Sequence, residues 1–497
     1  MFKNFPGYKI LEGIQKKKSH KRERKFPLNA IKLLFIIAIT SVIALLPTES
    51  FGIEGLTVIH QRIIALFVFA ALMWLTETMP SWVTSMVVVT VMLFTVSTSA
   101  FSFLRPEEGV GLVPFKSIFA CFSNPTIMLF IGGFVLAIGL TKVKLDVALA
   151  RVLLKPFGTR SEIVLLGFIL VTAIFSAFVS NTATAAMMLA FLTPVLRSLP
   201  ADGKGRIALA LAIPVGANLG GMITPIGTPP NMIALDYLSS QGMGISFVDW
   251  TIKMAPFVIV LLVIAWLLLR IMFPFKQKNI KIEIEGEINW NYKTWSVVVA
   301  FAITIFMWMF GTDLWGIDTN VVAMIPIAIF CATGILTRRD LEEINWSVLW
   351  MVAGGFALGV ALNYSDANSA SLSSLIVKSV PFDNFSPLMV MILAGLICFG
   401  FSNFISHSAA TSLLVPVLGV VASGLGTALD AFGGPQAMLV GIAIASSVSM
   451  ILPISTPPNA IAHSTGFIEQ KDMMKVGIIV GLLGIVLGYA MLIFIGF

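Results

Sequence analysis

Ser176-Ala-Phe-Val-Ser180-Asn181-Thr182-Ala183 returns 226 residues later as Ser402-Asn-Phe-Ile-Ser406-His407-Ser408-Ala409. Each copy is a short polar break inside an apolar stretch, 161–199 and 386–424. Two further pairs flank them in the same order. Gly132-Gly133-Phe134 recurs as Gly354-Gly355-Phe356, 222 residues on, and Thr228-Pro229-Pro230-Asn231 recurs as Thr456-Pro457-Pro458-Asn459, 228 residues on. Three motifs at nearly one offset define an internal repeat.

Around these motifs the chain is strongly apolar. Of its 497 residues 57% are hydrophobic and 11% charged, against about 25% charged in soluble proteins. Long apolar runs, 40 glycines and 24 prolines point to an all-α polytopic membrane protein rather than a β-barrel. Eleven runs can span a bilayer, near 29–47, 58–79, 81–99, 125–141, 207–235, 253–272, 294–311, 319–337, 346–363, 435–462 and 474–496. The two interrupted stretches are additional.

Residues 1–26 hold nine Lys/Arg and two Glu, which accounts for the whole net charge of +7. The tail reads as a cytoplasmic anchor near anionic lipid, with no nucleic-acid partner and no cleavable leader. With the N-terminus inside, the loops at 142–160, 197–206, 273–293, 338–343 and 469–475 are cytoplasmic and all carry Lys or Arg. Those at 48–57, 312–318 and 425–434 are outside and carry acids only, and the C-terminus falls outside. Charge parity does not distinguish a re-entrant hairpin from a pair of full crossings. The first interrupted stretch starts from the cytoplasm and the second from outside, so the copies are inverted, as in secondary transporters.

The predicted organisation is a basic tail (1–28), N-terminal scaffold helices (29–120) and a first repeat (121–252) with a hairpin at 161–199 and a broken helix at 225–231. Scaffold helices and a cytoplasmic loop at 273–293 follow (253–337), then a second repeat (338–497) with a hairpin at 386–424 and a broken helix at 453–459. Residues 142–160 read as an amphipathic surface helix, with a weaker outer counterpart at 366–379.

The arms beside Ser180-Asn181-Thr182 are too short to carry that polar tip to the far surface. Tips near mid-membrane must face protein or a water-filled cavity. There, helix-start N–H groups, hydroxyls and the Asn amide suit a carboxylate, and the carbonyls ending the first arm suit a cation. Tandem prolines break the backbone a second time in each half and free carbonyls beside Thr228 and Thr456. His407 stands where the first copy has Asn181; it can donate to a carboxylate, carry a proton or occupy a cation's place. His463 and Glu77 read as structural, His60 and His20 as interfacial or solvated. Cys121, Cys331 and Cys398 read as packing residues, with no disulfide or metal spacing.

These motifs, with Trp74-Leu-Thr-Glu77-Thr-Met-Pro80 and Gly220-Gly221-Met-Ile-Thr-Pro-Ile-Gly227, resemble the divalent anion:sodium symporter family, which includes dicarboxylate and citrate transporters. The resemblance implies eleven spans plus two re-entrant hairpins, a homodimer and an elevator motion of a transport domain against a scaffold, linked by 142–160. It implies substrate contacts at Ser180, Asn181, Thr182, Thr228, Pro229, Ser406, His407, Ser408, Thr456 and Pro457. It maps a first sodium site onto Ser176, Ser180, Asn181 and Gly227, and a second onto Ser402, Ile405, His407 and Ser455. His407 replaces the usual asparagine and Ser408 the usual threonine. The expectation is therefore a carrier of C4/C5 dicarboxylates, an exchanger before a sodium-coupled symporter, with sulfate carriage or an anion channel as remoter readings. Sodium is the only cofactor implied. No His-Glu-x-x-His helix or paired haem histidines are present, and no enzyme is expected.

Overall fold

The computed structural model describes residues 26–106, 111–200, 203–280, 289–366 and 369–496. The basic segment 1–25, with His20, lies outside the described residues, as does the stretch 281–288 of the loop at 273–293.

The first half contains α1 (Phe26–Leu45), α2 (Val58–Thr76), α3 (Ser81–Thr95), α4 (Phe115–Ala120), α5 (Pro125–Lys142) and α6 (Leu145–Leu154). It continues with α7 (Ser161–Phe178), α8 (Asn181–Ser198), α9 (Gly205–Gly220), α10 (Pro229–Ser240) and α11 (Phe247–Met272). The second half contains α12 (Tyr292–Trp315), α13 (Thr319–Val322), α14 (Met324–Ala332), α15 (Arg338–Glu342), α16 (Trp346–Asn363) and α17 (Leu372–Ser379). It ends with α18 (Pro387–Phe404), α19 (His407–Leu425), α20 (Gly434–Ser447), α21 (Pro457–Ser464) and α22 (Gln470–Phe494). No strand forms among the described residues.

Nine helical segments among these are long and apolar enough to cross a bilayer, and five shorter apolar helices accompany them. α7, α18 and α19, which border the two polar tips, are among the nine. The repeat pairs reappear in order: α5 with α16, α7–α8 with α18–α19, α9–α10 with α20–α21. The runs 207–235 and 435–462 are not continuous helices. Each opens before its proline pair, because Pro229-Pro230 and Pro457-Pro458 cannot donate to a preceding turn and instead start a new helix.

The halves interlock. α21 packs against α8 and α9, and α10 packs against α19 and α20. Each proline-started helix therefore lies on the opposite half's hairpin.

Several smaller readings are corrected or refined. His60 is buried, not solvated, and closes a capping box with Thr57 at the start of α2. Cys331 is exposed, whereas Cys121 and Cys398 are buried. Glu77 ends α2 in the left-handed region at φ 46°, a structural role. The amphipathic helix is shorter than 142–160, covering Leu145–Leu154. Lys144 precedes it, also left-handed at φ 57°.

Candidate functional site: two hairpin tips and two proline breaks

The first tip forms because Val179 and Ser180 adopt extended and cap conformations between α7 and α8. Ser180 Oγ accepts the Ala183 N–H at 3.3 Å, an N-cap that starts the returning helix. Behind it, Ser176 Oγ donates to the Ala217 carbonyl at 2.7 Å and lies 2.6 Å from the Asn181 amide. A hydroxyl has one proton to give, so Ser176 cannot also donate to Asn181. The amide therefore turns its nitrogen inward, donating to Ser176 Oγ (2.6 Å), the Gly227 carbonyl (3.1 Å) and the Ala217 carbonyl (3.3 Å).

This pocket accepts hydrogen bonds on every side but that of the amide. Rotated by half a turn, Asn181 would add its own oxygen to Ser176 Oγ and the Ala217 and Gly227 carbonyls. Four converging oxygens, with the Ser176 proton the one donor among them, suit a hard cation such as sodium. The approach is close enough to exclude side chains nearby: a Cβ at Gly221 would lie 2.5 Å from the inward atom of the Asn181 amide.

The proline breaks are stitched by their terminal asparagines. Asn231 Nδ2 donates to the Thr224 carbonyl at 2.8 Å and the Gly221 carbonyl at 3.1 Å. Asn459 Nδ2 donates to the Met450 and Leu452 carbonyls at 2.9 and 3.1 Å. Both side chains are buried. The unwound carbonyls are thus partly satisfied from within each motif, as buried backbone requires. Their stitching role was not anticipated. The motif spelling was the available signal, but backbone carbonyls leave no trace in a sequence.

The second tip is built alike at its cap and differently in its interior. Ser406 Oγ accepts the Ala409 N–H at 3.3 Å. The buried His407 ring places Nε2 2.5 Å from the Ser449 carbonyl, which makes Nε2 the protonated donor. The hydroxyls expected around a second cation direct their protons as Ser176 does, Ser402 to Ser446 Oγ at 3.1 Å and Ser455 to the Leu452 carbonyl at 2.7 Å, so the difference between the tips lies in the ring. Ser446 in turn donates to the His407 carbonyl at 3.0 Å. Ile405 is buried at the end of α18. The imidazole N–H thus sits where an acceptor-only cluster would be needed, and these residues fit a second cation poorly.

The remaining predicted residues lie at the starts of helices. Thr182 is exposed in the first turn of α8, Ser408 is buried in that of α19. Thr228 and Thr456 are buried N-caps of α10 and α21, while Pro229 is half-buried and Pro457 exposed. Asn218, which the motifs did not single out, is buried and reaches from α9 to Thr456 and Asn459.

Nine apolar helices, paired polar breaks and interlocked halves fit a polytopic all-helical membrane transporter. The model of the "Citrate transporter" family matches residues 71–439. The chain belongs to that family, within the divalent anion:sodium symporters. It is 30% identical over 473 residues to an uncharacterized transporter of Haemophilus influenzae, covering 92% of this chain and 94% of that one. It is 28% identical over 462 residues to the sodium-dependent dicarboxylate transporter SdcS of Staphylococcus saprophyticus, covering 85% and 84%. The crystal structure of the YdaH transporter of Alcanivorax borkumensis shares the fold, with a TM-score of 0.52 and 12% identity over 88% of this chain and 99% of that one.

Proposed function

We propose that the protein carries C4 and C5 dicarboxylates such as succinate, malate, fumarate and 2-oxoglutarate across the cytoplasmic membrane, as an exchanger. The observation that carries exchange is the His407 Nε2–Ser449 hydrogen bond of 2.5 Å. It holds an N–H in the place of the second cation and so removes one ion from the coupling. The hydroxyls of Ser180, Thr182, Ser406, Ser408, Thr228 and Thr456, with the N–H groups starting α8 and α19, supply donors for two carboxylates. Pro229 and Pro457 shape the floor between them.

In this reading the hairpins α7–α8 and α18–α19 with the broken helices α9–α10 and α20–α21 form the moving part, α1–α4 and α11–α14 belong to the scaffold of a homodimer, and α6 and α17 are the hinged connections. The hairpins re-enter the membrane from opposite sides, the N-terminus is cytoplasmic and the C-terminus outside.

A second reading, symport with a single sodium at Ser176, Ser180, Asn181 and Gly227, is favoured by the oxygen cluster of the first tip. The names of relatives such as SdcS support it too. Uptake of radiolabelled succinate into proteoliposomes separates the two. Exchange requires dicarboxylate inside and proceeds in sodium-free buffer. Sodium-driven uptake into empty vesicles establishes symport instead.

A further inference from the structure

Asn218 lies on α9 directly after Ala217, whose carbonyl belongs to the oxygen cluster of the first tip. Its side chain points the other way, across to the second half. Nδ2 donates to Thr456 Oγ1 at 3.2 Å and to Asn459 Oδ1 at 3.0 Å. The side chain is 1% exposed and its Oδ1 has no partner.

The amide orientations form a chain with one polarity. Asn459 must turn its nitrogen to the Met450 and Leu452 carbonyls, at 2.9 and 3.1 Å. Its oxygen then faces Asn218, which must answer with its nitrogen. That same nitrogen donates to Thr456 Oγ1, which also accepts the Asn459 backbone N–H at 3.2 Å. A threonine hydroxyl has two acceptor positions and one proton. Both acceptor positions of Thr456 are filled, so its proton points away from both donors, and among the described residues the hydroxyl donates to no protein acceptor. The unpaired Oδ1 of Asn218 is the cost of this arrangement, about 1–3 kcal/mol for a buried acceptor.

The mirror position in the second half is Ser446, and it does not reach across. Its hydroxyl donates to the His407 carbonyl in its own half. Correspondingly, Thr228 caps no N–H with its side chain, whereas Thr456 does. The cross-link between halves is therefore one-sided.

We propose that Asn218 is a positioning residue that converts Thr456 into an obligate donor for an anionic oxygen of the cargo, and that ties this donor to the Ala217 carbonyl of the first tip. The inference rests on the reading of Thr456 as a substrate contact. Asn218 itself does not touch the cargo. Replacing its amide by a carboxylate would draw the Thr456 proton inward and silence the donor.

The test is a double-mutant cycle on the purified full chain, with Asn218→Ala, Asn218→Asp and Thr456→Ala. Binding is read as ligand-induced thermal stabilisation with succinate, citrate and sulfate, and transport as the KM for the anion that binds. Losing a hydrogen bond to a charged group weakens binding by roughly 10- to 100-fold. N218A is expected at the lower end and N218D at the upper end, with turnover at saturation changed less than KM. In the T456A background each should change affinity less than about 3-fold. Equal losses in both backgrounds, or unaltered affinity in N218D, overturn the proposal. N218A guards against misfolding of the buried carboxylate, and its cycle alone decides the matter if N218D does not fold. A wild type stabilised by sulfate or citrate but not succinate refutes the dicarboxylate reading while the cycle is still read with that anion. A wild type stabilised by none refutes both.

Discussion

Replacing His407 by asparagine restores, in the second half, the residue type of the first tip. The wild-type ring gives its Nε2 proton to the Ser449 carbonyl at 2.5 Å. In H407N that carbonyl loses the imidazole, and an amide oxygen becomes available beside the hydroxyls of Ser402 and Ser455. Without a cation, a buried acceptor left without its donor costs about 1–3 kcal/mol. With sodium at ten times its dissociation constant, binding returns about 1.4 kcal/mol, and at a hundredfold about 2.7 kcal/mol. The variant should therefore melt earlier than wild type in potassium chloride and recover in sodium chloride. The assay is thermal unfolding of detergent-purified protein across a sodium titration at constant ionic strength, with wild type alongside to subtract any response of the first tip. Succinate uptake by H407N should become more sodium-dependent in parallel. A folded H407N whose melting and uptake respond to sodium no more than wild type would refute the reasoning that the imidazole replaces an ion.

Other outcomes follow from the same geometry. Asn181→Ala and Thr182→Ala should each lower kcat/KM for succinate at least about 10-fold, the effect of a lost charge-assisted bond; unchanged kinetics in both would remove the first tip from the site. Asp146, at the start of α6, is buried, and burial pushes its carboxyl up to about 6 despite bonds from the Val147 N–H and Thr141 hydroxyl. The folded state therefore holds this proton more tightly than the unfolded one, and stability falls as pH rises from about 4 to 6. Asp146→Asn should flatten that limb and stabilise the protein at pH 7 by about 2–3 kcal/mol, read by denaturation at both pH values. Asp340 behaves oppositely: burial raises its carboxyl, but the Lys142 ammonium at 2.5 Å and the Thr337 hydroxyl and N–H outweigh this and hold it low. Its contribution is present at neutral pH and lost as pH falls through that lowered value, so Asp340→Asn should weaken the protein at pH 7 and reduce the difference in acid.

Much of this was legible because the deciding residues break an otherwise apolar pattern. Ser180-Asn181-Thr182 and Ser406-His407-Ser408 interrupt runs with no other reason for polarity, and the proline pairs cannot continue a helix. Helices α7–α10 and α18–α21 accordingly end and restart at these motifs. What stayed hidden is orientation. Whether Asn181 turns oxygen or nitrogen to Gly227 depends on the single proton of Ser176, and whether His407 meets a ligand or Ser449 depends on a carbonyl 42 residues away. Asn218 stands in Gly216-Ala-Asn-Leu-Gly-Gly, where one asparagine among small residues looks like ordinary helix packing. Only the crossing of α9 with the second break gives it a partner. The solvated alternative for His60 fails for a related reason: its burial and its capping box with Thr57 depend on packing around the start of α2.

The tips and breaks contain serine, threonine, asparagine, proline and one histidine that needs a single N–H, with no lysine, arginine or carboxylate among them. An unloaded site of this kind is electrically silent. Moving one elementary charge through a potential costs about 2.3 kcal/mol per 100 mV, and here only the cargo would bear it. Transport current should then count the cargo's charge directly: zero for one dianion traded against another, and one net negative charge per cycle for a dianion travelling with a single sodium.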